Sequence, residues 1–303
     1  MYSKNTVLSV CYNISGTILI VLRCALLKNL NQLKYITVLL EEFKVNKATE
    51  NILWLKVLTA LTVLLQIAML AYKLCIRKQL VYVSSFLFGY KVERESYQDV
   101  IAILLDINSL FFSFMPLLTF ALFYTTVCYR ISCIINRFAE TLASKSELNY
   151  EILLHSYTKM KSAVIYIDNT VGALVFTTVI YSSCVMCFTL YFVLESNLFI
   201  DAINRVIVCH LILIIFSLLM VMSVSASKVE ETSSEISSLA LTLPKNKQSC
   251  FFDQQRFILL AEKGIAMTMW KIVPIRRSFI FSISGILFSY TLMFYNMNPL
   301  KKN

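Results

Sequence analysis

The chain has 303 residues, 58% of them hydrophobic and only 15% charged, with a net charge of +10 and a mean hydropathy of +0.69. A soluble domain averages about 45–50% apolar and about 25% charged residues, so a water-soluble globule is excluded. The 13% aromatic content excludes disorder, and five glycines with four prolines exclude collagen-like and low-complexity chains.

What remains is an all-α, polytopic membrane bundle. About twenty apolar residues cross the ~30 Å hydrocarbon layer as a helix. Six stretches meet that length: 6–27, 52–74, 99–126, 171–194, 204–226 and 278–298. The first follows Lys4 as a signal peptide would, but it runs past Arg23 to Leu27 without a small-x-small cleavage site and is read as a span. A run at 79–90 is too short to cross and reads as interfacial or re-entrant. No alternating strands with aromatic girdles occur, which argues against a β-barrel.

Six spans put both termini on one side of the membrane. The segments 28–51, 127–170 and 227–277, with Arg23 and Lys56 at the adjoining span ends, hold 19 of the 28 Lys and Arg residues. The other side holds 9, five of them between Lys73 and residue 98. The positive-inside rule then puts the first group in the cytoplasm and both termini outside.

After the third span, Ile131, Ile134, Ile135, Phe138 and Leu142 recur at helical spacing, with Arg130, Arg137 and Glu140 off that face. Leu148, Ile152 and Met160 resume the pattern after the polar break at 144–147. These helices either extend the neighbouring spans below the membrane or lie on anionic lipid. The Ser-, Glu- and Lys-rich stretch 227–249, with Pro244, reads as a loop, and a helix is expected from about Phe252 to Met269. Pro274 and the pair Arg276–Arg277 then lead into the last span. The expected organisation is therefore ligand-binding spans over 1–226, a cytoplasmic loop and anchor helix over 227–277, and a last span with an outside C-terminus over 278–303. No internal repeat marks the paired halves of a secondary transporter.

The nine cysteines are odd in number and scattered through apolar runs, so they imply no disulfide framework. Cys184 and Cys187 form a C-x-x-C inside a span, with only His155 and His210 elsewhere, which falls short of a closed metal-ligand set. The two histidines lie on opposite sides of the bilayer, and no GxSxG, HExxH or glycine-rich phosphate loop is present. Neither an enzyme nor a cofactor is expected. Basic residues interleaved with acidic ones in loops between spans also exclude a nucleic-acid surface.

Polar residues inside spans are costly and therefore informative. In the last span, Ser282, Ser289 and Asn296 recur at spacing seven, with Ser278 and Gly285 on the same face. Such a small, polar stripe fits either close helix–helix contact or the wall of a water-lined pore. In the other spans Asp106, His210, Gln66 and Ser183, with Asn13, Tyr72 and Tyr191, fall in the outer halves. The facing inner halves, Leu117–Leu122 and Leu211–Met222, hold little beyond Thr119 and Ser217. This bias fits either an outward-facing pocket for a small molecule or a few interhelical hydrogen bonds. Asp106, a lone carboxylate within a span, is the strongest single candidate.

The segment Trp270–Met297 (WKIVPIRRSFIFSISGILFSYTLMFYNM) resembles the C-terminal signature of arthropod gustatory receptors, in which Thr-Tyr is followed by five apolar residues and Gln. The corresponding residues here are Ser289-Tyr290, Thr291–Tyr295 and Asn296. Serine keeps the hydroxyl of Thr, and Asn keeps the amide of Gln one methylene shorter. Asp168-Asn169-Thr170-Val171-Gly172 is similar to the family's N-x-x-φ-G entry to a span. The family has seven spans, and alignment from the C-terminus matches this chain's six to the second through seventh. The resemblance implies a tastant-gated, cation-permeable channel in the plasma membrane, assembled as a homo- or heterotetramer of related subunits. It puts Asn296 near the gate with Tyr290 packed beside it, in a last span that lines the pore; the polar stripe independently nominates Ser282, Ser289 and Asn296, and the constriction is expected around Leu292–Asn296. The resemblance puts the small-molecule pocket among the outer halves of the other spans, where Asp106, His210, Gln66 and Ser183 are expected. Insect odorant receptors share the architecture and form one alternative; a non-conducting subunit and a small-solute transporter are the others.

Overall fold

The computed structural model describes residues 2–43, 114–144, 149–194, 202–242 and 251–296, with single positions between 57 and 71 and between 97 and 107. At 2–12, 191–192, 194, 202–207, 251 and 294–296 the backbone alone is described. In chain order the continuous elements are α1 (Tyr2–Lys28), α2 (Leu30–Glu42), α3 (Met115–Ser144), α4 (Tyr150–Leu194), α5 (Ala202–Thr242), α6 (Phe251–Glu262), a hairpin of β1 (Thr268–Met269) and β2 (Val273–Pro274), and α7 (Arg277–Asn296).

The long helices carry the architecture. At 1.5 Å per residue, the 45 residues of α4 extend about 67 Å and the 41 residues of α5 about 61 Å, twice the hydrocarbon thickness. Both must therefore project from the bilayer, as the sequence pattern between 127 and 170 expects. Asn149 starts α4 as an N-cap, its Oδ1 accepting hydrogen bonds from the amides of Glu151 (3.1 Å) and Ile152 (3.4 Å). In α3 the stripe Leu117, Ala121, Tyr124, Cys128, Ile131, Ile135 and Leu142 is buried along the helix, mainly against α5.

Among the described residues, α3, the Tyr150–Leu190 part of α4 and the Val208–Thr242 part of α5 are long and apolar enough to cross a membrane. α1 and α2, bent by 57° at Asn29, make a fourth if they act as one broken span. The Arg277–Met293 part of α7 is apolar but shorter. The expected span 52–74 lies largely outside the described residues, whereas 99–126 is described from 114 onward, where it opens into α3; every described position between 57 and 71 and between 97 and 107 is helical. The run at 79–90 lies outside them altogether.

Two sequence expectations need correction. The stretch 227–249 is not a loop at its start: α5 continues to Thr242. Its small and charged residues hide a buried stripe of Val229, Thr232, Ser233, Ile236 and Ala240 at helical spacing, while Glu235, Ser238 and Leu241 face outward. The helix expected over 252–269 stops at Glu262. Gly264 turns there with φ +58°, a left-handed conformation that suits glycine, and the chain then forms the short antiparallel hairpin. Trp270 and Lys271 take φ values of 50° and 59° in its turn, closed by the Ile272 amide donating to the Met269 carbonyl at 3.0 Å.

A buried aromatic cluster lies where the helices extend beyond the expected spans. Phe138 of α3, Tyr157 of α4 and Phe257 of α6 form a three-ring cluster with centroids 5.7–6.4 Å apart. Tyr157 and Phe257 are completely buried. The Ser233 hydroxyl accepts a hydrogen bond from the Ile265 amide (2.8 Å), and the Lys161 ammonium donates to the Leu260 carbonyl (3.1 Å), closing α6 onto α5 and α4.

Candidate functional site

The stripe of α7 is defined by which way the helix faces. Ile280, Leu287 and Thr291 are buried against α4 and α5, and Thr291 donates its hydroxyl to the Leu287 carbonyl at 2.7 Å. With about 100° between successive residues, these centre on one side of the helix. Ser278, Ser282, Gly285 and Ser289 centre on the opposite side, and all four are exposed. A Cβ added at Gly285 would meet nothing within 4 Å. Among the described residues, the polar stripe faces directly away from the chain's own helices, and contact with them does not account for it. Phe281, Phe288 and Leu292 flank it on one side, Ile286 and Met293 on the other, with Tyr290 further round. Ser282 satisfies its hydroxyl by donating to the Ser278 carbonyl at 3.1 Å, which lowers its cost in an apolar setting. Asn296 ends α7, and its side chain lies outside the described residues.

The root of α7 is tied down from two sides. The Asp168 carboxylate of α4 accepts two hydrogen bonds from Thr268, from the amide to Oδ1 (2.7 Å) and from the hydroxyl to Oδ2 (2.6 Å). The Thr268 hydroxyl in turn accepts from the Lys271 amide at 3.1 Å, fixing the hairpin turn. One turn along α4, Gly172 leaves room for the hairpin backbone: a Cβ there would lie 3.3 Å from the Trp270 nitrogen. Phe176, a turn further on, packs its ring 5.0 Å from that of Trp270. The Asp168–Gly172 motif is thus the seat of the hairpin. On the other side, Arg276 pairs with Glu230 at 2.9 Å and Arg277 with Glu231 at 2.6 Å, both glutamates on α5.

A cavity of about 180 Å³ lies between α3, α5 and the helical residues Thr59 and Thr62. Its walls are mostly aliphatic, with Leu118, Leu122, Ile214 and Leu218 beside Thr125, His210 and Ser217. Ser217 donates to the Leu213 carbonyl (2.7 Å) and Thr62 to the Thr59 carbonyl (2.8 Å), so neither hydroxyl proton is free. His210 Nε2 and Thr125 Oγ1 are buried and make no hydrogen bond. Among the described residues these two are the unpaired buried polar atoms at the cavity, the Ser217 and Thr62 oxygens remaining able to accept, and unmet groups of this kind favour a ligand that can bond to them.

Of the four expected pocket residues, His210 lines this cavity, whereas Ser183, half-buried on α4, does not. Asp106 and Gln66 lie outside the described residues. The cavity also runs deeper than the expected outer-half pocket. Its α5 wall spans His210 to Val221, about 17 Å, and so takes in the Leu211–Met222 segment that looked featureless. Thr125 was missed because a threonine can bond to its own helix and is common in spans. Only its position opposite His210 distinguishes it.

Among the described residues, the architecture is a helical membrane bundle with helices that extend beyond the bilayer, a hairpin and a short final helix. The chain superposes on the insect olfactory receptor OR5 from Machilis hrabei with a TM-score of 0.63 at 17% sequence identity, over 96% of this chain and 82% of that one. The same receptor in complex with eugenol gives a TM-score of 0.65 at 17% identity, over the same shares. The chain therefore shares its fold with this insect olfactory receptor. No protein-family model matches the sequence, and no curated protein matches it significantly.

Proposed function

We propose that the chain is a subunit of a chemosensory, ligand-gated cation channel, with a small molecule held in the His210 cavity and the pore lined by the polar face of α7. The observation that carries this reading is the stripe Ser278, Ser282, Gly285 and Ser289, which lies opposite the buried face of α7 and points away from the chain's own bundle. Copies of α7 around a common axis give that stripe a shared, water-filled lumen. A tetramer of identical or related subunits in the plasma membrane of chemosensory cells is the assembly that the family resemblance supports. Asn296 then sits near the gate, with Leu292 and Tyr290 beside the constriction.

The ligand enters a largely apolar space with two hydrogen-bonding atoms. An apolar cavity of about 150 Å³ accommodates benzene, so about 180 Å³ suits a ring-sized compound with one polar group. The OR5 neighbour's complex with eugenol, a phenol, is of the same chemistry. Binding that favours the open arrangement shifts a two-state equilibrium. Moving an open fraction from about 1% to about 50% takes about 2.7 kcal/mol of differential binding, within reach of one hydrogen bond and good apolar contact.

The taste reading rests on the C-terminal signature ending at Asn296. An odorant receptor is the second reading, favoured by the olfactory neighbour and by a cavity with so few polar groups. Whole-cell current in a heterologous cell, recorded with guaiacol, eugenol and sucrose, tests both. Cation current evoked by either phenol and reduced in His210→Phe supports the channel and the cavity. Surface-expressed chains that stay silent to every compound, alone and with a co-receptor, contradict them. Response to sucrose at an intact His210 moves the ligand site elsewhere, because a sugar's many hydroxyls have no partners in this cavity.

A further inference from the structure

The hairpin and α7 are one covalent stretch, yet the contacts that hold the root of α7 come from two different helices. Arg276 and Arg277 stand side by side at the start of α7, and Glu230 and Glu231 stand side by side on α5. Each pair is two-pronged. Arg276 Nε donates to both carboxylate oxygens of Glu230 at 2.9 and 3.3 Å. Arg277 reaches Glu231 through Nε at 2.6 Å and Nη2 at 2.7 Å. The fork of Arg277 on Glu231 fixes orientation as well as distance, which a single lysine contact does not, whereas Arg276 shares one N–H between the two oxygens of Glu230.

The position along α5 gives the pairs their meaning. The helix is continuous from Ala202 to Thr242. Its His210–Val221 stretch walls the cavity, and Glu230 follows Val221 by nine residues, about 13 Å along the same rod. A rotation or tilt of α5 at the cavity is therefore delivered to Glu230 and Glu231 without an intervening loop. On its other flank the root is held by α4, through Asp168 and Thr268. The α4 attachment lies in a buried hydrogen-bonded seat, whereas the arginine side chains are 63% and 72% exposed. One attachment is largely buried and hydrogen-bonded, and the other is a pair of solvated contacts.

We infer that Arg276–Glu230 and Arg277–Glu231 form a double clasp that transmits movement of the cavity helix α5 to the pore helix α7, about a pivot at Asp168–Thr268. The four residues are positioning residues, acting on the gate through α7 and touching no ligand. This inference rests on the channel reading above. Exposed ion pairs add little to stability, so the role of the clasp is in coupling rather than in holding the fold.

The test is a charge-reversal cycle in the full chain: Glu230→Arg with Glu231→Arg, Arg276→Glu with Arg277→Glu, and all four together. With guaiacol and eugenol as probes, each reversal is expected to raise the half-activating concentration about tenfold, and the four-fold swap to return it to within about threefold of wild type. Thermal unfolding midpoints in detergent should stay close to wild type throughout. Unchanged responses in the reversals overturn the clasp, and so does a loss that the swap fails to restore. If the wild type carries no current, the channel reading fails on its own, and amide hydrogen exchange over residues 277–285 judges the clasp. Faster exchange in the reversals, restored by the swap, sustains it; exchange identical in all four proteins overturns it.

Discussion

The two ends of the same long helices are packed on different terms. Toward Ser144, Tyr150 and Thr242, α3, α4 and α5 close around α6 with fully buried side chains, among them Ile135, Leu142, Tyr150, Tyr157, Ile236 and Phe257. Toward His210 and Met115 the same α3 and α5 part around a cavity, with Leu213 exposed on α5 and His210 Nε2 left without a partner. α7, beside them, buries only one face. A dense end resists deformation, and an end with a cavity and a half-covered helix has room to rearrange. The difference teaches that close packing and open space are divided along the same helices, with the hairpin seat at Asp168 between them.

The strongest way to break this contrast is to remove a ring from the dense end. Phe257→Ala is expected to cost about 3–5 kcal/mol, read as lost folded yield and a large drop in the thermal midpoint of detergent-solubilised protein. A drop no greater than that of a surface variant would show the end to be loosely packed. Next comes the boundary. Asp168→Asn cannot accept both Thr268 donors, since its amide nitrogen faces one of them, and should cost about 1–3 kcal/mol. Gly172→Val crowds the Trp270 backbone and should cost about 1–3 kcal/mol by the same thermal assay. A hairpin that tolerates both without loss is not seated as described.

Smaller effects sharpen the other side. His210→Phe fills part of the cavity and is expected to change stability by less than about 1.5 kcal/mol, while shifting the response to guaiacol and eugenol about tenfold. Phe288→Ala, on the outward face of α7, should stay within about 0.5 kcal/mol of wild type in the thermal assay. A cost like that of Phe257→Ala would mean that Phe288 packs against a partner.

Much of this was legible in the sequence, and the reasons differ by region. The phase of α7 could be read because Ser278, Ser282, Gly285 and Ser289 break an apolar helix at a regular spacing. His210 was legible because an ionisable group in a span has few bland explanations. The end of α5 was misread because serine, glutamate and lysine signal loops by composition, and the buried stripe through Val229, Ile236 and Ala240 is sparse. The hairpin was hidden because its turn uses Trp270 and Lys271 at positive φ, where glycine or asparagine is the usual signal. Ser183 shared an expected depth with His210 but stands on α4, which contributes nothing to the cavity wall. Depth can be counted along a chain, whereas the neighbour across a cavity depends on how the helices pack.

The most direct test of the central claim is cysteine accessibility along α7. Ser282→Cys, Ser289→Cys and, as the buried control, Leu287→Cys would each be treated during evoked current with a membrane-impermeant, positively charged thiosulfonate, against the background of the native cysteines. The account predicts rapid, ligand-dependent block at positions 282 and 289 and none at 287. Full current after treatment at 282 and 289, with surface expression confirmed, would contradict a pore lined by the polar face of α7.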